Sequence, residues 1–388
     1  MKIAFVSYSD FNGGAAKACY KIFNLLKKKN RSLLIVREKS INDKSIILFG
    51  NKYLNKLRNV FMHYLSRVIG LKDFSFNLLP SNMGTYLNSL DVDLINLHWI
   101  NGETISINEI GKINKPLVIT LHDMWFFSGG YHYVNENEYF KKKKRFLDEF
   151  IYNKKKKIFN NKKIYFISPS KWINNCLKKN FFLQKKKSVI IPYPTENTFR
   201  PLDINKCRDK FKFKRDEVLC VFSAASLLDH ERKGFDLLLE SLKLINNFKF
   251  KVIVISKSKI FDHNKHEMIY FYNYKNNNKI YNELLNCANF FVIPSRQDNL
   301  PNVALEALSC GKPIVSYNVG GLRELVDHKN NGYLAKSFDV KDFARGINFM
   351  IKNHKKLNSN IIRNKFMKKI NQDFVENKYN NFFKKILN

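Results

Sequence analysis

Short apolar runs alternate with longer stretches of helical period along most of this chain. The first run, at 2–8, passes through Gly13-Gly14 into a segment where Ala15, Ala18, Cys19, Ile22, Phe23 and Leu26 keep the three-and-four spacing of an amphipathic helix. Runs at 33–36, 45–49, 93–99, 117–121, 164–167 and 189–191 read as further strands, apolar enough for a sheet covered on both faces. Residues 54–69 form an amphipathic helical pattern with Leu57, Val60, Phe61, Tyr64, Leu65 and Val68 on one face. That face is expected to pack on the sheet, with membrane contact as the alternative. Closely spaced prolines between Pro192 and Pro201 interrupt both periods and mark a linker. Strand-like runs resume at 218–222, 250–255, 268–272, 289–293 and 313–317, and a Lys/Asn-rich helical stretch closes the chain at 358–387. Strand and helix alternation throughout predicts an α/β protein of two doubly wound domains joined near residue 195, whose strand ends face a cleft.

Length and composition agree with a globular protein of two or three domains, with 388 residues, 45% hydrophobic and 26% charged. No apolar run approaches the roughly 20 residues of a membrane span. The opening Met1-Lys2-Ile3 run is a strand too short for a signal peptide, so a cytoplasmic chain is expected. Six cysteines show neither a CxxC pair nor histidines at zinc spacing, which fits buried thiols and no metal site. The net charge of +35 is the strongest compositional signal. Lys, Asn, Ile, Phe and Tyr are abundant together, as an AT-rich genome produces, and most of the lysine excess is assigned to that. The tracts at 141–145, 154–157, 162–163 and 185–187, with interleaved aromatics, would attract anionic lipid headgroups weakly. They could equally attract a phosphate backbone or be solvated helix faces, and no nucleic-acid motif accompanies them.

Candidate chemistry gathers at strand ends. After the run at 289–293 comes a polar loop and then a helix, with Asp298 and Glu306 bracketing the turn. Backbone N–H groups and two acids at the carboxyl end of a parallel strand suit a polyol such as a ribose or hexose; as a bland reading, Glu306 is a first-turn helix acid. Arg232-Lys233, just before the apolar Phe235–Leu239 stretch, could neutralise a diphosphate. Gly13-Gly14 permits close backbone approach but does not match GxGxxG. His122, with Asp123 and Trp125 after it, and His98 each sit where a strand should end.

The stretch from Pro294 to Leu308 closely resembles the acid-x7-acid motif of family-4 glycosyltransferases of the GT-B fold, which retain the donor sugar's configuration; Asp298 stands where that family usually carries Glu. The resemblance runs through the chain in order. Gly13-Gly14-Ala15 is similar to the family's donor-phosphate loop. His122-Asp123-Met124-Trp125 with Gly129-Gly130 and His132-Tyr133 resembles a bacterial polysaccharide-assembly branch of colanic-acid type. Arg232-Lys233-Gly234-Phe235 resembles its phosphate-binding segment, with Leu227 where many members place an Arg, and Gly320-Gly321 its donor-pocket glycines. The resemblance implies two Rossmann-like domains, 1–193 on the acceptor side and 194–370 for the nucleotide sugar, with 371–388 a helix returning to the first. It implies a catalytic group of His122, Asp298, Lys233 and Arg232. Donor contacts would come from Gly13, Gly14, Asn299, Leu300, Asn302, Glu306, Gly320 and Gly321, with Glu306 on the ribose and a base pocket near 256–258 and 272–275. Asp123, Trp125 and His98 would shape the acceptor side. The implied activity is metal-independent transfer from a nucleoside-diphosphate sugar, without further cofactor, to a saccharide acceptor, lipid-linked in surface-polysaccharide assembly. The competing expectation is a non-catalytic sugar-nucleotide or polysaccharide binder of the same fold.

Overall fold

The computed structural model describes every residue except 136–144, 225–230, 248, 257–266 and 274–276. The chain divides into two compact units, one of Met1–Pro194 with Gln372–Asn388 and one of Thr195–Asn371.

The first unit is built on a seven-stranded sheet of order β3-β2-β1-β4-β5-β6-β7. Its strands are β1 (Lys2–Ser9), β2 (Arg31–Glu38), β3 (Ile46–Leu48), β4 (Leu94–Leu97), β5 (Leu117–Thr120), β6 (Ile164–Ser168) and β7 (Ser188–Ile190). Every pairing is parallel. Parallel strands need covered faces, and Ala4, Val6, Ile95, Leu97, Leu117 and Ile119 are fully buried in one apolar core. The C-terminal helix Gln372–Leu387 packs on this unit through Val375, Tyr379 and Phe383, all fully buried, and Asn380 Oδ1 accepts from Asn30 Nδ2 at 3.1 Å. The expected continuous helix at 358–387 is in fact two, Ser359–Ile370 and Gln372–Leu387, divided at Asn371, whose ψ of 158° is extended.

The second unit carries a six-stranded sheet of order β10-β9-β8-β11-β12-β13. Its strands are β8 (Val218–Ala224), β9 (Phe250–Ser256), β10 (Ile269–Asn273), β11 (Phe290–Ile293), β12 (Ile314–Tyr317) and β13 (Gly332–Ala335), again all parallel. The last strand went unforeseen because Gly332-Tyr333-Leu334-Ala335 is short, and two of its residues are only half-buried. Both strand orders reverse beside the first strand of the unit, the switch point where open α/β sheets hold ligands at their carboxyl edge.

Helix Lys52–Val68 departs from expectation. The side chains it buries are Asn55 and Ser66, with Met62 partly buried, whereas Leu57, Val60, Phe61, Tyr64 and Val68 are exposed. Its apolar face turns away from the sheet it was expected to cover.

Candidate active site

On the first unit, the chain leaves β1, β4 and β5 at the same edge, because these neighbours are parallel. Gly13-Gly14 follows β1 and opens helix Gly14–Leu26, both glycines exposed. Gly13 has φ +94°, and a Cβ added there would meet nothing within 4 Å. The loop thus offers open backbone and a helix N-terminus carrying no first-turn acid, a setting that accepts an anion.

His98 follows β4 and His122 follows β5, and adjacency of the strands brings the rings together. His98 Nδ1 and His122 Nε2 are 2.9 Å apart, and His122 Nδ1 lies 2.8 Å from Tyr193 Oη with the two rings stacked. Burial drives both imidazoles toward the neutral form: His98 is held well below its usual range, with His122 adding to the effect, and His122 is lowered to about 4 against a modest upward pull from Asp123. His98 Nε2 is buried and has no hydrogen-bond partner among the described residues. Two neutral histidines in a chain can present a donor or an acceptor to a sugar hydroxyl without carrying charge.

Asp123 is held by three donors or ring nitrogens. Its Oδ1 accepts from the Trp125 backbone N–H at 3.0 Å, and its Oδ2 accepts from Trp99 Nε1 at 3.0 Å and meets His132 Nδ1 at 2.6 Å. Burial raises this carboxyl, but His132 and these hydrogen bonds outweigh it and keep it ionised below the usual range. His132 stacks on Trp99, and its Nε2 lies 2.9 Å from Ser75 Oγ. Trp125 is fully buried, and its indole N–H donates to Ser75 O at 2.9 Å, so it braces the loop after β5.

Beneath that loop lies a residue unforeseen in sequence. Lys155, within the tract taken as surface charge, is fully buried with Nζ 3.3 Å from the Trp125 ring centroid. It donates to Gly129 O at 2.6 Å and to Trp125 O. Burial pulls the ammonium well below its ordinary range, and Asp148 opposes that pull while accepting from Gly130 N–H at 2.8 Å. Lys162 and Lys186 also spend their ammonium groups on backbone carbonyls. The signal that could have found Lys155 is its spacing: with Ile151 and Phe159 it forms one stripe four residues apart, and all three are buried in helix Phe146–Phe159.

On the second unit, β8 and β11 are adjacent, and their following loops join the cations to the first acid. Lys233 Nζ pairs with Asp298 Oδ2 at 2.6 Å, and Arg232 approaches Asp298 Oδ1 at 3.5 Å while donating to Gln297 O at 3.0 Å. Ser295 Oγ donates to the same carboxylate at 3.3 Å. Burial raises the Asp298 carboxyl, but Lys233 and then Arg232 bring it below the usual range. Burial in turn lowers the Lys233 ammonium against the attraction of Asp298. The Arg232 backbone carbonyl accepts from Arg296 N–H at 2.8 Å, and Arg296 grips Asp236 with both η nitrogens, so the two loops are tied to each other.

The glycines at Gly320-Gly321 close the other side of Asp298. Gly321 N–H donates to Asp298 O at 3.0 Å. Gly320 has φ +52°, and a Cβ there would fall 1.9 Å from Asp298 O, so no other residue fits. Asn299 and Leu300 are buried and Asn302 half-buried, at the start of helix Asn302–Ser309. Glu306 is buried in that helix but is its fifth residue, beyond the first turn, which removes the reading of it as a dipole-favoured first-turn acid. Ser256 and Tyr272 end β9 and lie in β10, whereas 257–258, 274–275, Leu227 and Lys141–Lys144 lie outside the described residues. Among the described residues no group of three or more His, Cys, Asp or Glu is placed to hold a metal, and no helix is long and apolar enough to cross a membrane. All six cysteines are buried free thiols.

Residues 204–367 match the family model of glycosyl transferases group 1. An uncharacterised glycosyltransferase of Methanocaldococcus jannaschii is 25% identical over 315 residues, covering 79% of this chain and 80% of that protein. A capsular polysaccharide biosynthesis glycosyltransferase of Staphylococcus aureus is 26% identical over 200 residues, 47% of this chain and 51% of its own length. Among solved structures, HepE of Anabaena in complex with UDP-glucose shares the fold with a TM-score of 0.69 at 17% identity, covering 99% of this chain and all of that one. Residues 204–367 are therefore similar to group 1 glycosyl transferases, in a chain with the GT-B fold of two Rossmann-like units.

Proposed function

We propose that this chain is a retaining, metal-independent glycosyltransferase that moves a sugar from a nucleoside-diphosphate sugar to a lipid-linked saccharide in bacterial surface-polysaccharide assembly. It needs no cofactor beyond the donor, and works in the cytoplasm at the inner membrane face. The observation that carries the reading is the cluster of Lys233, Arg232 and Asp298 at the carboxyl edge of the second sheet. Two cations with partial solvent access sit over a carboxylate that stays ionised, which is the charge pattern needed to take up a diphosphate and a sugar hydroxyl side by side. The capsule enzyme among the relatives and the UDP-glucose bound to the structural neighbour support the donor and pathway class. The Asp123, His132 and Trp99 arrangement on the first unit, in segments that resemble the colanic-acid branch in sequence, supports a saccharide acceptor there.

The chemistry is a front-face displacement. The bond from the sugar's anomeric carbon to the diphosphate oxygen breaks, and the acceptor oxygen bonds to that carbon on the same face. The acceptor's proton passes to the departing phosphate oxygen. Lys233 and Arg232 meet the charge growing on the leaving diphosphate, and Glu306 holds the ribose hydroxyls. Asp298 orients the sugar.

The test is nucleotide release from a panel of UDP-, GDP- and other nucleotide sugars, with and without a crude lipid extract, beside the Glu306→Ala variant. Release from one donor, raised by lipid and lost in the variant, supports the reading. Saturable binding of a donor with no release under any condition favours the non-catalytic binder instead.

A further inference from the structure

Helix Lys52–Val68 presents to solvent what a folded protein normally covers. Tyr53, Leu57, Val60, Phe61, Tyr64 and Val68 are each 55–81% exposed, on the side opposite Asn55, Met62 and Ser66, which face the body of the unit. At 3.6 residues per turn these two sets point in opposite directions, so the apolar face cannot be turned inward without exposing the other. The helix is capped by Asn51, whose side chain accepts from the N–H groups of Tyr53 and Leu54, so it is a formed element. Beyond its C-terminal end, the Arg145 side chain donates to Gly70 O at 3.3 Å, and the next residue, Phe146, is 82% exposed.

The charges around this face select its occupant. Residues 51–72 contain no Asp or Glu, and by helical spacing Lys52, Lys56 and Arg67 border the apolar side. A second copy of the chain would bring the same cations against these, which is repulsive. A surface that is apolar inside and anionic at its rim complements both features at once, and an amphipathic helix with cationic flanks is the element that lies in such a boundary.

We propose that helix Lys52–Val68 is a docking element that seats its apolar face in an anionic phospholipid surface, with Phe146 beside it. This differs from the weaker expectation that the lysine tracts after residue 140 carry the contact, since Lys155, Lys162 and Lys186 are engaged internally. The segment leaving the helix also ties it to the candidate acceptor side. Asp73 O accepts from His132 N–H at 3.0 Å, and Ser75 accepts from Trp125 Nε1 and meets His132 Nε2. Given the acceptor reading above, docking would hold a membrane-anchored saccharide within reach of Asp123 and His132; the docking itself does not depend on that reading.

The test uses the full chain and vesicles of phosphatidylcholine with and without phosphatidylglycerol, without any sugar donor, so its result is independent of enzymatic activity. Co-sedimentation should favour the anionic vesicles, fall by about tenfold or more in Leu57→Asp/Phe61→Asp, and lose its lipid-charge preference in Lys56→Gln/Arg67→Gln. Because aspartates could disturb folding, Phe61→Trp provides a second readout, with a blue shift of the introduced indole's emission on anionic vesicles only. Wild-type binding unchanged in the aspartate variant, or no emission shift in Phe61→Trp, overturns the proposal. So does a wild-type dimer that dissociates in the aspartate variant while vesicles are ignored, which would assign the face to a second copy.

Discussion

The pair of Lys233 and Asp298 provides the sharpest quantitative handle on the second unit. Replacing Lys233 with Ala leaves the Asp298 carboxylate, whose side chain is 8% exposed, facing only Arg232 at 3.5 Å and the Ser295 hydroxyl. Removing one partner of a buried ion pair costs about 3–5 kcal/mol. Because the Lys233 side chain is 23% exposed and Arg232 remains, we expect about 2 kcal/mol here. Asp298→Asn alone should cost less, since it leaves a partly solvated ammonium that water can reach. The double variant should recover part of the loss, with a coupling of roughly 1–3 kcal/mol. The sign of the pH dependence follows from Asp298, which Lys233 and Arg232 hold below the usual carboxylate range against burial. Its contribution is fully present above its unfolded value of about 3.9 and is lost as pH falls through the lower folded value. In Lys233→Ala, where burial pushes the carboxyl up against Arg232 and Ser295 alone, that acid-side loss should shrink. Urea unfolding of the four proteins, followed by circular dichroism at pH 7 and at about pH 3, measures all of this. Effects of the two substitutions that add within about 0.5 kcal/mol would refute the pairing. On the catalytic side, Lys233→Ala should slow turnover by roughly tenfold or more, as loss of a charge-stabilising donor does; near-normal turnover would remove Lys233 from the leaving-group role.

Other consequences are as direct. His122 has a folded value of about 4 against about 6.5 unfolded, so the unfolded chain binds the proton first. Stability should therefore fall as pH drops from about 6.5 to about 4, by at most about 3 kcal/mol, and His122→Gln should flatten that window in thermal unfolding. Lys155→Met should destabilise by about 2 kcal/mol or more, because the carbonyls of Trp125 and Gly129 lose their buried donor; unchanged urea midpoints would contradict the account of the loop. Gly320→Ala, meeting Asp298 O at 1.9 Å, should cost several times more stability than Gly13→Ala, which meets nothing and bears only the strain of its positive φ, about 1 kcal/mol. Equal midpoints for the two glycine variants would show that the Gly320 contact relaxes freely.

Much of the fold was legible because parallel strands buried on both faces read as continuous apolar runs, and twelve of the thirteen strands among the described residues overlap such runs. The strand-end positions of His98, His122 and Asp298 were legible for the same reason, since the residue after a buried run at the carboxyl edge is where polar side chains gather. What the period of a helix cannot reveal is which face the fold covers. Leu57 and Phe61 mark a face as clearly as Ile22 and Phe23 do, yet the first is exposed and the second buried, because Asn55, Met62 and Ser66 fit the body of the unit instead. Lys155 was hidden by its neighbours, since a run of four lysines reads as a solvated surface unless its spacing from Ile151 and Phe159 is weighed. The ion pair of Lys233 with Asp298 spans 65 residues, and it arises only because β8 and β11 are neighbours in the sheet order. Adjacent rings at His98 and His122 have the same origin in the pairing of β4 with β5.

The most direct measurement of the central claim is the anomeric configuration of the product. The full chain would be supplied with the nucleotide sugar that it turns over and a lipid-linked saccharide fraction, and the new glycoside followed by NMR as it forms. The account expects a product whose new linkage keeps the configuration of the donor, formed by the wild type and strongly reduced in Lys233→Ala and Glu306→Ala. A product of inverted configuration, or undiminished product from both variants, would contradict it.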